Sequence, residues 1–197
     1  FDPNHREQAL DKDRLNRVGF GVYEMGSVFK VFTVAGVLDS GLANLHSVYD
    51  ASSPIHYASF TIHDFHSQGR PLSLPEVFIY SSNIGAAKMA VMLGEQKFYE
   101  YIRRFGFGDR TGIELPGEIR GMVHAPRSWS KISITRIPMG QEVGVTPLQM
   151  LLAMATVANG GYVVKPHLGK RIEDTDGRVL QEFEQPARRK LGIKPEF

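Results

Sequence analysis

Residues 27–41 read SVFKVFTVAGVLDSG, and this stretch decides how the rest of the chain is interpreted. Hydrophobic residues between Val28 and Leu38 cover most faces of a helix about three turns long. Ser40 and Gly41 follow at the position of a left-handed helix C-cap. Because a helix that is apolar on most sides is buried, we predict that this segment lies in the core.

Outward from this helix, helical signals recur and strand signals are short. Capping boxes and apolar periodicity predict further helices over residues 73–80, 84–93, 96–105 and 146–159. Alternating segments predict hairpin strands over 56–60 with 61–65, and over 165–173 with 178–184. Residues 1–20 are predicted as an irregular lead-in, 109–145 as an extended loop region and 165–184 as a hairpin. The predicted fold class is mainly α with short β hairpins.

Composition excludes several classes of protein. Hydrophobic residues make up 42% of the 197 residues and charged residues 22%, which argues against disorder. The net charge of +2 is far below the basic excess of nucleic-acid-binding proteins, so nucleic acid is not an expected partner. Without cysteine there is no disulfide, thiol nucleophile or thiolate metal site. His63 and His66 have no third ligand near them in sequence, so no metal and no cofactor are predicted.

Ser27 and Lys30 form a serine–lysine pair one helical turn apart. Serine is a weak nucleophile until a base takes its proton, and a lysine three residues on shares its helix face. The apolar neighbours of Lys30 would favour the neutral amine that a base requires. The same spacing at Ser128 and Lys131 lies in a polar loop, and we interpret it as a chance match. The alternative for Ser27 is a simple helix N-cap, so the context has to decide.

That context is Ser81-Ser82-Asn83, at a junction between two predicted helices. Its structural alternative is a cap for the helix that follows. With the serine–lysine pair it resembles the first two signatures of the penicillin-binding transpeptidases and serine β-lactamases. Other matching segments are Phe105-Gly106-Phe107-Gly108, 111–118, Gly140-Gln141, 145–149 and Ala158-Asn159-Gly160-Gly161. On these residues, 1–197 resembles a partial transpeptidase domain of the class B, or monofunctional, penicillin-binding proteins of bacterial cell-wall synthesis.

The resemblance implies a role for each matching residue. Ser27 would be the acylated nucleophile, and Lys30 would take and return its proton. Ser81 would relay protons toward the leaving amine. Asn83 would bind the substrate by a hydrogen bond to its backbone carbonyl.

The resemblance also implies a whole-protein function. This is a peptidoglycan D,D-transpeptidase that cross-links stem peptides ending in D-Ala-D-Ala and is inhibited covalently by β-lactams. Its expected setting is the periplasmic or extracytoplasmic face of the bacterial inner membrane, with an anchor outside this chain and a glycosyltransferase partner in a cell-wall synthesis complex. The alternatives are a serine β-lactamase or β-lactam sensor, or a non-catalytic helical scaffold. The absence of an E-x-x-L-N element between residues 85 and 140 favours the transferase.

One signature of the family is missing. No Lys-Thr-Gly occurs in the sequence, although the family carries it on a strand that supplies an oxyanion N–H. We therefore expect the chain to be a fragment that is itself inactive. It should contain the helical part of the α/β fold shared by penicillin-binding transpeptidases and serine β-lactamases.

Overall fold

The computed structural model describes residues 2, 4–8, 10, 14–183 and 188–191. Parts of the predicted lead-in and the last residue of the predicted hairpin lie outside these residues. The helices are α1 (Arg17–Phe20), α2 (Lys30–Asp39), α3 (Leu74–Ile79), α4 (Asn83–Leu93), α5 (Glu95–Arg104), α6 (Ser133–Arg136) and α7 (Pro147–Ala158). The strands are β1 (Val48–Asp50), β2 (Ile55–Tyr57), β3 (Phe60–Ile62), β4 (Pro71–Ser73), β5 (Tyr162–Val164), β6 (Arg171–Glu173), β7 (Val179–Glu182) and β8 (Arg188–Lys190). The predicted mainly α class is confirmed.

The helix ends follow the predicted capping signals. In the box that opens α7, the Gln149 N–H donates to Thr146 Oγ1 at 3.1 Å, and the Thr146 N–H donates to Gln149 Oε1 at 2.8 Å. At α3 the Glu76 carboxylate accepts from the Ser73 N–H at 2.9 Å. The predicted lead-in is less irregular than expected, because the Asn16 side chain caps a helical turn at α1. Short-range side-chain chemistry therefore sets these boundaries.

The central helix begins more tightly than predicted. A 3₁₀ turn, Gly26–Phe29, leads directly into α2, and the Lys30 N–H donates to the Ser27 carbonyl. Gly41, with φ of +71°, follows the last residues of the helix as the C-cap signal predicts. Phe29 and Phe32 pack edge to face, with ring centroids 5.3 Å apart, and both contact Phe107. This aromatic cluster fixes α2 in the core.

The strands form four separate antiparallel pairs: β1 with β4, β2 with β3, β5 with β8, and β6 with β7. The predicted hairpin 56–60 with 61–65 was wrong in register, because the chain turns earlier, with Ala58 at φ of +52°. No glycine or asparagine marks that turn in the sequence. The second hairpin turns where predicted, but β6 begins at Arg171 rather than Lys165. Pro166 lacks the N–H that strand pairing needs.

The region 109–145 is not the loop that was predicted. It contains α6 and two 3₁₀ turns, Pro126–Ser128 and Ile137–Met139. The residues of α6 and the turn after it are largely buried, and α6 packs against α4. A four-residue helix is too short for apolar periodicity to reveal it. This segment nevertheless supports the helix that begins at Asn83.

Candidate active site

Ser27 lies in the 3₁₀ turn Gly26–Phe29, with its side chain exposed. The residue at the N-cap position of this turn is Met25, not Ser27, and it makes no side-chain capping bond. The first N–H groups of a helical run have no partner within it, so this end of the turn offers donors to an anion. Ser27 is therefore an accessible hydroxyl at a helix start rather than a simple cap.

Lys30 is buried at the first position of α2, with 2% of its surface exposed. Its Nζ donates to the Ser81 carbonyl at 2.5 Å, to Ser81 Oγ at 3.0 Å and to Asn83 Oδ1 at 2.7 Å. Three of the four predicted site residues thus share one cluster of hydrogen bonds. Among the described residues, none of these bonds extends to the Ser27 hydroxyl.

Burial decides the protonation of Lys30. Desolvation lowers its pKa from 10.5 to about 8, and the negative charge of Asp64 partly opposes this change. A lysine with this pKa exchanges its proton near neutral pH, whereas an exposed lysine stays charged. The site can therefore accept a proton from a neighbouring hydroxyl and return it.

Ser81 occupies the turn between α3 and α4 in a left-handed conformation, with φ of +53°. Such a backbone is uncommon for a residue with a side chain and persists where surrounding contacts hold it. Here both the carbonyl oxygen and the hydroxyl of Ser81 meet the same amine of Lys30. The next residue, Ser82, is buried and caps α4 by accepting from the Gly85 N–H at 2.9 Å.

Asn83 has both ends of its amide engaged. Its Oδ1 accepts from Lys30, and its Nδ2 donates to the His63 carbonyl at 2.9 Å. The amide nitrogen carries two hydrogens, and the second has no acceptor among the described residues. That hydrogen is available to a ligand carbonyl.

Asp64 is a site residue that the sequence analysis missed. Its carboxylate accepts from Ser82 Oγ at 2.7 Å and from the Ile84 N–H at 2.9 Å. It therefore fixes the junction that carries Ser81 and Asn83, and its charge reaches Lys30. The proximity of Asp64 to His63 was the available signal. The pair considered for a metal in the sequence was His63 and His66, and no group of three or more metal-ligating side chains occurs in the described part of the chain.

A second element that the sequence analysis did not place at the site lies against the turn that carries Ser27. We define the strap as residues 140–145, which include the Gly140-Gln141 pair. Tyr23 and Val145 exchange two backbone hydrogen bonds of 3.0 Å, so the strap runs beside the segment before Ser27. A Cβ on Gly140 would lie 2.2 Å from the Gly26 carbonyl oxygen. Only glycine allows the two backbones to approach this closely.

The other serine–lysine pair does not form a site. Ser128 lies in a 3₁₀ turn, and both Ser128 and Lys131 are exposed. Lys131 thus lacks the burial that lowers the pKa of Lys30. The interpretation of this pair as a chance match agrees with its surroundings.

Comparison with known proteins places the chain in a family. All residues, 1–197, match the family model for the penicillin-binding protein transpeptidase domain, and the chain belongs to this family. It is 39% identical over 161 residues to "Probable peptidoglycan D,D-transpeptidase FtsI" of Caulobacter vibrioides, covering 82% of this chain and 27% of that protein. It is 36% identical over 184 residues to penicillin-binding protein PbpB of Mycolicibacterium smegmatis, covering 92% of this chain and 28% of that protein.

Solved structures agree with this assignment. The crystal structure of penicillin-binding protein 3 from Mycobacterium tuberculosis, complexed with ampicillin, superposes with a TM-score of 0.88 at 30% identity. The match covers 100% of this chain and 43% of that one. The chain thus has the helical part of the penicillin-binding protein fold and spans less than half the length of these relatives.

Proposed function

We propose that Ser27 is the nucleophile of a peptidoglycan D,D-transpeptidase to which this chain contributes the helical half of the active site. The observation that carries the proposal is Lys30, a buried amine with a pKa of about 8 held between Ser81 and Asn83. A buried lysine costs stability, and such a cost is kept where the chemistry needs it. The name of the Caulobacter relative, a probable peptidoglycan D,D-transpeptidase, supports the same reaction.

In the acylation step the Ser27 hydroxyl attacks the carbonyl carbon of the penultimate D-alanine. Neutral Lys30 takes the hydroxyl proton as the C–O bond forms. As the peptide bond breaks, the proton passes from Lys30 through Ser81, whose hydroxyl lies 3.0 Å away, to the amine of the departing D-alanine. The products are a Ser27 ester and free D-alanine.

In the second step an amine of a neighbouring stem peptide attacks the ester carbonyl. The amine loses a proton, Ser27 regains one, and a new peptide bond cross-links the two stems. Asn83 holds the donor peptide through its free amide hydrogen. Because Asp64 and His63 fix the junction before substrate arrives, this hydrogen is already oriented.

A β-lactam would enter the same cycle and stop at the first ester. Opening of its ring keeps the leaving amine attached, so the acyl-enzyme persists. The ampicillin complex of the mycobacterial protein supports β-lactams as ligands for this family.

The cellular setting is part of the proposal. Peptidoglycan lies outside the cytoplasmic membrane, so the domain would act on the extracytoplasmic face, beside a glycosyltransferase in a cell-wall synthesis complex. No helix of the described residues is both long and apolar enough to cross a membrane.

The test uses the complete protein that contains this chain. It is incubated with a fluorescent penicillin, and the adduct is located by mass spectrometry of peptides. A stable adduct on Ser27, lost in Ser27→Ala and kept in the matched variant Ser128→Ala, is expected. Release of D-alanine from a pentapeptide with formation of a cross-linked dimer completes the assignment. Rapid turnover of the penicillin would instead indicate a β-lactamase, and no reaction would indicate a scaffold.

A further inference from the structure

Glu142, in the middle of the strap, has an unusual backbone. Its φ is +58°, in the left-handed region, although it is not a glycine. This conformation is unfavourable for a residue with a side chain and persists where surrounding contacts hold it. The contacts of Glu142 therefore indicate what the strain serves.

Those contacts join three parts of the molecule. The Glu142 N–H donates to Glu24 Oε1 at 2.8 Å. Glu24 lies three residues before the candidate nucleophile, Ser27. The Glu142 side chain accepts from Ser133 Oγ at 2.6 Å and lies 3.6 Å from the Arg136 guanidinium. Ser133 and Arg136 are the two ends of α6. One residue thus links the segment that carries Ser27 to α6.

Both ends of this link lead to the candidate active site. Gly140, two residues before Glu142, contacts the backbone of Gly26, and α6 packs against α4, which begins at Asn83. Beside the strap lies a cavity of about 340 Å³ lined by Tyr23, Trp129 and both glutamates. Val143 and Val145 anchor the later part of the strap in the core, whereas Glu142 is only half-buried. At Glu142 itself, polar contacts therefore supply the restraint.

We infer that Glu142 is a positioning residue for Ser27: through Glu24 and the Gly140–Gly26 contact it sets the nucleophile's turn relative to Lys30 and Asn83. This inference rests on the proposed function. Glu142 acts through the strap and takes no part in proton transfer. Its loss should slow the acylation step and leave the preceding noncovalent binding of penicillin unchanged.

The test measures acylation of the complete protein by a fluorescent penicillin at several concentrations, which separates the acylation rate constant from the binding constant. In Glu142→Ala the rate constant should fall about 10-fold to 100-fold, as expected for a small misplacement of a reacting group. Glu142→Gln keeps an acceptor for Ser133 and should recover most of this loss. Ser133→Ala, which leaves the strap backbone untouched, should slow the step in the same direction but less. The control Glu100→Ala removes an exposed glutamate on α5 that pairs with Gln96, and it should acylate at the wild-type rate.

The outcomes are distinguishable. If the wild-type protein is not labelled, the proposed function fails and this inference fails with it. If the wild type is labelled and Glu142→Ala reacts equally fast, only the positioning role is overturned. The positioning role is also overturned if a smaller fraction of Glu142→Ala can be labelled but that fraction reacts at the wild-type rate. Such a result would mean that the variant partly misfolds and that the folded protein has a normal site. Should Glu142→Ala not fold at all, a wild-type rate constant in Ser133→Ala overturns the inference.

Discussion

If Lys30 is the base, acylation of Ser27 should follow the deprotonation of its amine. With a pKa of about 8, about 9% of Lys30 is neutral at pH 7, against about 0.03% for a lysine at 10.5. Burial therefore raises the reactive fraction roughly 300-fold at neutral pH. The acylation rate constant should rise about tenfold per pH unit below pH 7, reach half its maximum near pH 8 and level off above about pH 9.

Asp64 gives a way to move this profile. Its negative charge raises the pKa of Lys30, so Asp64→Asn should lower that pKa further and shift the rising limb to lower pH. The variant should then react faster than wild type at pH 6.5, relative to its own plateau. Asp174→Asn is a matched control, because the Asp174 carboxylate also accepts two hydrogen bonds, here from two backbone N–H groups in the β6–β7 turn.

The measurement is rapid-quench labelling of the complete protein with a fluorescent penicillin between pH 6 and 10. Thermal unfolding of each variant is recorded as well, because asparagine keeps only one of the two acceptor oxygens of Asp64 and can lower stability. A flat profile, or a midpoint near 10.5, would refute Lys30 as the base. A midpoint that moves to higher pH in Asp64→Asn would refute the electrostatic argument.

Three further predictions concern the stability cost of buried Lys30, the close approach at Gly140 and the effect of the absent Lys-Thr-Gly signature. Lys30→Met should abolish acylation and flatten the pH dependence of stability, because the buried ammonium costs about 3 kcal/mol below pH 8 and this cost disappears as pH rises to 10.5. If the free energy of unfolding, measured with urea at several pH values from about 7 to 10.5, changes equally with pH in both proteins, the prediction is contradicted. Gly140→Ala should lower the free energy of unfolding by about 2–4 kcal/mol and slow acylation, because its Cβ meets the Gly26 oxygen. Gly160→Ala, with the same φ of +77° and open space around its Cβ, should lose only about 1–2 kcal/mol, and equal losses would refute the steric reason. The printed chain alone, without Lys-Thr-Gly, should be labelled about 100-fold to 1000-fold more slowly than the complete protein, and a comparable rate would show that the missing strand is dispensable.

The elements that the sequence predicts well are those whose signals are local. The capping boxes of α3 and α7 lie within four residues, and Ser27 and Lys30 are three apart on one helical run. Such contacts form whenever the helix forms, so residue type and spacing are enough.

Contacts between distant segments could not be predicted in this way. Asp64 lies 18 residues from Ser82 in sequence, and Glu142 lies 118 residues from Glu24. Nothing in the local pattern of 109–145 distinguishes a loop from the short buried helix α6. The pairing of β5 with β8 likewise joins strands separated by another hairpin. Tertiary packing decides these features, and they hold the site in place.

The hydrogen-bond acceptors around Lys30 suit its proposed role as the group that receives the Ser27 proton. Burial raises the neutral fraction of the amine before reaction, yet three acceptors already surround Nζ, and an amine that is neutral has only two hydrogens to give them. In the proposed mechanism Ser27 transfers its proton to Lys30, and the ammonium that forms finds all three acceptors in place, so no reorganisation is needed at that step. The left-handed backbone of Ser81 makes this possible, because it turns a carbonyl and a hydroxyl toward one amine. The strain at Ser81 and the lowered pKa of Lys30 are thus two parts of one arrangement, in which the hydroxyl that stabilises the new charge is also the route by which the proton leaves.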